Sequence, residues 1–183
     1  RLTDSQSRGL LDFGAADSFM VRIVFCTSSH ADGGVGGAGA LAAKDVGTGV
    51  PSWWLRIQDG KVRFFLDDGS SSASVTGETS VSDGRWHEVI AARDAEDSMV
   101  YLVLDGRLDG MAVDNTAGGF GNSNDFMVGC FNGGERSFAG DIDKVIVYQG
   151  RLSDIIKISD GDLNTDGIVD IRDLVIMVSN WDL

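Results

Sequence analysis

At 183 residues and 43% apolar, the chain can bury one ordinary core with room for a small appendage. Its 15 basic and 28 acidic residues leave a net charge of −13, which argues against nucleic acid or an anionic membrane surface as partner. No run of 18 apolar residues occurs, so no helical membrane span is expected.

There are 25 glycines and one proline, Pro51. Short apolar runs broken by tight turns are the pattern of an all-β domain. The chain begins at Arg1 rather than methionine, as a processed form would. Leu10–Phe13 is a short apolar piece, and Ser18–Thr27 reads as a strong strand. Met20, Arg22, Val24 and Cys26 share one face of it, and Val21, Ile23 and Phe25 the other. Nearly all are apolar, which predicts a central strand. Residues 31–40 form a glycine-rich loop, and Leu41–Lys44 predicts a short strand.

Trp53–Gln58 and Lys61–Leu66 are joined by Asp59-Gly60, a strong hairpin signal. A weaker strand is expected at Ser72–Thr76, then strands at Trp86–Arg93 and Met99–Leu104. Asp105-Gly106 turns the chain into Arg107–Val113. After a second glycine-rich loop, 117–124, come Phe126–Phe131 and Phe138–Tyr148. About a dozen short strands with regular turns suit a sandwich or jelly roll. Cys26 and Cys130 both fall in predicted strands. A disulfide between them needs Cα atoms within about 7 Å; two buried free thiols are the alternative.

After Tyr148 the texture changes, dividing the chain into a body, 1–152, and a tail, 153–183. In the tail, Asp162, Asn164, Asp166, Asp170 and Asp173 fall at positions 1, 3, 5, 9 and 12 of one loop, with Gly167 at position 6. A hard cation such as Ca²⁺ wants six to eight oxygens, and this spacing delivers them, with the backbone carbonyl of Ile168 at position 7. Glycine permits the sharp turn. Ile171, Leu174, Val175, Val178 and Trp181 then recur at helical spacing, which predicts a small EF-hand-like loop and helix. So short a helix is unstable alone and must dock its stripe, with Leu174, Val178 and Trp181 as the docking residues.

The body carries four signposts: Leu11-Asp12-Phe13-Gly14, Asp83-Gly84-Arg85-Trp86-His87-Glu88, Tyr101-Leu102-Val103-Leu104-Asp105-Gly106, and the run from Phe138 to Tyr148. In this order they resemble the laminin-G-like, concanavalin A-like jelly-roll family of secreted proteins over about residues 10–155. The tail resembles a single repeat of a type I dockerin. Complete dockerins carry two repeats and bind cohesin modules, so a cohesin-like partner is doubtful here. The jelly-roll resemblance implies a structural Ca²⁺ near Asp143, with Asp17 or Asp12 as companions; aspartates that cap turns are the alternative. Asp143, in an apolar strand, is expected to be paired or metal-bound. Trp86 is expected as a buried aromatic anchor and His87 as a satisfied structural histidine.

Catalysis is not expected. Asp141 and Asp143 have the i, i+2 spacing of a strand-borne acid pair, but the glucanases of this broad fold resemble a Glu-x-Asp-x-x-Glu pattern, and this strand has no glutamate. Only His30 and His87 could serve a nucleophile. A secreted, calcium-binding module for carbohydrate or protein recognition and adhesion fits better. Trp53 and Trp54, being adjacent in a strand, face opposite ways, and one could stack on a sugar. The alternative is a structural subunit of an extracellular assembly, in which the tail or the N-terminal segment docks on a neighbouring copy.

Overall fold

The computed structural model describes residues 1–149 except 8, 30–38, 46, 48 and 135. The calcium loop and helix expected from the sequence, from Asp162 to Trp181, therefore lie outside the described residues. One helical turn, α1 (Asp4–Ser7), precedes ten strands: β1 (Phe19–Cys26), β2 (Gly39–Lys44), β3 (Ser52–Gln58), β4 (Lys61–Asp67), β5 (Ser72–Ser80), β6 (Trp86–Asp94), β7 (Met99–Leu104), β8 (Arg107–Val113), β9 (Met127–Val128) and β10 (Asp141–Gln149).

The strands form two antiparallel five-stranded sheets: sheet I in the order β10-β1-β6-β7-β8, and sheet II in the order β5-β4-β3-β2-β9. This is a concanavalin A-like jelly-roll sandwich. β1 lies inside sheet I, as its two apolar faces predict. Asp59-Gly60 and Asp105-Gly106 both close two-residue hairpins with positive φ at each position (51° and 74°, 48° and 75°). That conformation matches the right-handed twist of the flanking strands, and glycine takes it without strain. The strand expected at Phe126–Phe131 shrinks to Met127–Val128, since Phe126 instead exchanges backbone bonds with Leu2, each 2.9 Å.

Alternation fills the space between the sheets. Val21, Ile23 and Phe25 of β1 face Trp53, Leu55 and Ile57 of β3 and Val62, Phe64 and Leu66 of β4 in one continuous core. Phe13 stacks on Phe19 at 3.9 Å between ring centroids, and both lie 5.9 Å from Trp53. Arg93 points inward too. Its Nε donates to Asp114 Oδ2 at 2.6 Å, its guanidinium lies 4.9 Å over the Phe120 ring, and it also reaches the Asp17 carbonyl.

One corner is held by a buried ammonium. Lys44, 1% exposed, places Nζ 2.8 Å from Asp4 Oδ1, 2.8 Å from Asp12 Oδ1 and 2.7 Å from the Asn122 carbonyl, with the Asn124 carbonyl at 3.2 Å. Four oxygens from three separate segments thus converge on one side-chain cation. Asp68 ties another loop: it accepts from the backbone N–H groups of Ser70, Ser71, Ala117 and Gly118 at 2.6–2.8 Å. Desolvation works to raise its pKa, but those four donors outweigh it and hold the carboxyl well below the usual range.

Candidate functional site

Trp53 and Trp54 split as alternation requires. Trp53 is fully buried in the core, and its Nε1 donates to the Leu11 carbonyl at 3.5 Å. Trp54 lies on the opposite, outer face of sheet II, where it joins Ala40, Ala43, Phe65 and Phe131 in a separate apolar cluster. Phe65 stacks on it at 4.8 Å, and Phe131 meets it edge-on at 6.0 Å. Trp54 is only 8% exposed, so its ring is a foundation rather than an open stacking surface.

What stands on that foundation is cationic. Arg56 Cζ is 4.1 Å from the Trp54 centroid and Arg63 Cζ 5.7 Å, while Arg136 Cζ lies 5.5 Å from Phe131. Guanidinium planes pair well with aromatic faces, which explains why arginine rather than lysine suits these positions. The Gln58 side-chain oxygen accepts from both Arg56 and Arg63, and Arg63 also reaches Ser74 Oγ at 3.3 Å. Desolvation, then repulsion from Arg63 and Arg136, pull the Arg56 pKa down to about 10; Asp59 and Asp45 oppose this more weakly. Among the described residues, none of the three arginines has a carboxylate within ion-pair distance. The Nε atoms of Arg56 and Arg63 are buried without a partner. The sequence pattern singled out Trp54 and not the arginines that stand over it. Their signal was available: Arg56 and Arg63 sit at polar positions of a hairpin whose alternate residues are core, and the register pairs them directly.

The other candidate residues are dispersed. Asp12 is committed to Lys44 and accepts from the Asn122 N–H. Asp17 accepts from the Gly14 N–H at 2.7 Å and from Gln149 Nε2 at 3.1 Å. Asp143 is exposed, at a bulge where β10 slips by one residue against Val24 and Phe25. The sequence expectation of a carboxylate enclosed among apolar neighbours is corrected here, because the bulge leaves Asp143 in water with no burial to compensate. Among the described residues no group of three metal-ligating side chains forms.

Trp86 also departs from expectation. It is 55% exposed on the outer face of sheet I, opposite Cys26, and the inward position belongs to His87. His87 holds Asp105 Oδ2 at 2.7 Å through Nδ1 and Asp83 Oδ1 at 3.1 Å through Nε2, so both ring nitrogens are engaged. Desolvation works to lower its pKa, but the two carboxylates outweigh it and raise the value. Cys26 and Cys130 are free thiols. Among the described residues no helix is long and apolar enough to cross a membrane.

A family model described as concanavalin A-like lectin/glucanases superfamily, Laminin_G_3, matches residues 30–154, more than half of the chain. The chain belongs to the concanavalin A-like lectin/glucanase superfamily. Several solved structures share this jelly roll. The CBM40 module of Ruminococcus gnavus IT-sialidase, solved bound to α2,3-sialyllactose, is 18% identical with a TM-score of 0.65, over 82% of this chain and 84% of the module. Domains LG4-5 of the mouse laminin α1 chain are 19% identical with a TM-score of 0.59, over 77% of this chain and 38% of the laminin fragment. The binding domain of botulinum neurotoxin serotype G is 16% identical, with a TM-score of 0.58, over 78% of this chain and 35% of that domain. At these identities the likeness is one of fold. Comparison with curated proteins finds no match.

Proposed function

We propose that the chain is a secreted, non-catalytic recognition module that takes an acidic ligand, a carboxylated or sulfated glycan, on the outer face of sheet II. The observation that carries this reading is the gathering of Arg56 and Arg63 over Trp54 and of Arg136 over the adjoining Phe131, in a chain of net charge −13. Three like charges this close repel one another, and an anion relieves that repulsion with charge-assisted, bidentate hydrogen bonds. Sialyllactose, the ligand in the Ruminococcus gnavus structure, is an acidic glycan and supports the same ligand class. A non-catalytic role is supported by His87, whose ring nitrogens are both engaged, and by the exposed, bulge-separated Asp141 and Asp143.

Ca²⁺ belongs to this reading as the ligand of the tail loop, through Asp162, Asn164, Asp166, Asp170 and Asp173 and the Ile168 carbonyl. The loop contains its own ligands, so the single repeat suffices for the metal without a cohesin-type partner. An acidic surface and a calcium loop support an extracellular address.

A glycan array with sialylated, sulfated, uronate-containing and neutral glycans tests the proposal. Binding is expected only to the acidic set, falling as salt rises. Arg63→Ala and Arg136→Ala should each weaken it about tenfold or more, the size of one lost charge-assisted bond of roughly 1.5–3 kcal/mol. Preference for neutral glycans, or indifference to both substitutions, would sink the reading.

A further inference from the structure

We infer that the outer face of sheet I is the seat of the chain's own C-terminal segment, with Leu174, Val178 and Trp181 laid on its apolar rows. Strand register builds the face. One row across the five strands is Tyr148, Met20, Ala92, Tyr101 and Met111. The next is Ile146, Arg22, Ile90, Val103 and Leu108. Arg22 is the one charge in either row, and its Nε donates to Glu88 Oε2 at 2.8 Å, so it is neutralised in place.

These side chains point away from the inter-sheet core, and the five apolar ones on β1, β6 and β7 are absent from its cluster. Yet Met20, Ile90, Tyr101 and Val103 are only 3%, 4%, 5% and 1% exposed. Neighbours within a sheet leave side-chain tips in water; burial this deep calls for a layer on top. The rows open again at their margins, where Tyr148 is 39% exposed and Met111 53%. The covered band thus follows β1, β6 and β7. Three adjacent strands span about 10 Å, the width of one α-helix with its side chains.

The chain itself carries a fitting cover. β10 ends at Gln149 on the edge of this sheet, one residue past the first row, and residues 150–183 follow. Within them Leu174, Val178 and Trp181 recur at helical spacing in the sequence, which as a helix would give one stripe about 10 Å long. A stripe tethered to the sheet edge meets the face at an effective concentration of order millimolar, an advantage no second copy has.

Hydroxyl-radical footprinting of the full chain in Ca²⁺ tests this, reading Met20 against Met111 in the same sample. In the unmodified protein Met20 should oxidise at least tenfold more slowly than Met111. In the double variant Leu174→Asp/Val178→Asp that protection should drop at least fivefold, with the sandwich intact by circular dichroism. Trp181→Ala, a milder change, should move it in the same direction. Met20 protection unchanged in both variants overturns the proposal. Protection that rises with protein concentration also overturns it and assigns the cover to a second copy.

Discussion

Trp54, Trp86 and His87 show how much turns on a single step of strand register. Each has the composition of a core residue, and each lands where alternation from its neighbours sends it. Trp53 takes the core and leaves Trp54 outside; His87 takes the inward position and leaves Trp86 55% exposed. His87 then supplies a pH signature. Its folded pKa is raised above the ordinary value near 6.5, so its contribution to stability is full below that value and is lost as pH rises through the folded pKa. Thermal melts should therefore show the gap between the unmodified protein and His87→Gln narrowing from pH 5.5 to pH 8.5. A gap that widens over that range would contradict the paired geometry with Asp83 and Asp105.

The hairpins behave more simply because their chemistry is local. Asp59-Gly60 dictates its own turn, and Gly60, at φ 74°, occupies a region that a Cβ disfavours. Gly60→Ala should cost roughly 1–2 kcal/mol in chemical denaturation while leaving glycan binding intact. A loss of binding with unchanged stability would mean that the turn takes part in recognition. Strand positions, hairpins and the two faces of β1 were legible in the sequence for this reason: they depend on alternation and turn residues within a few positions. Three features were not. The bulge that exposes Asp143 arises from pairing with β1, over a hundred residues away. The bridge of Phe126 to Leu2 joins segments more than a hundred residues apart. The arginine cluster needs Phe131 and, with it, Arg136 brought to Trp54 of the β3–β4 hairpin, a proximity no local pattern encodes.

Across the whole molecule, the two outer faces differ in character. Sheet II carries guanidinium groups over aromatic rings, and sheet I carries apolar rows, the proposed seat of the tail. A ligand that binds only the folded state adds stability by mass action, about 2.7 kcal/mol at a hundredfold excess over its Kd. Adding EDTA should thus lower the melting temperature, and Asp162→Ala with Asp166→Ala should remove the difference between the two conditions. Identical melting curves with and without chelator in the unmodified chain would leave the tail loop without its metal. Arginine-dependent glycan binding should survive chelation, because its residues lie on the opposite sheet.

The corner around Lys44 has a different relation to its surroundings. Asp4, Asp12 and the two loop carbonyls gather about a positive charge much as ligands gather about a metal, but this charge is bonded to β2. It has no dissociation constant, cannot be exchanged and is indifferent to ion supply. A medium stripped of divalent ions would therefore leave the N-terminal segment fastened, whatever becomes of the calcium site proposed for the tail. No chelator can draw out a cation that is part of the chain itself.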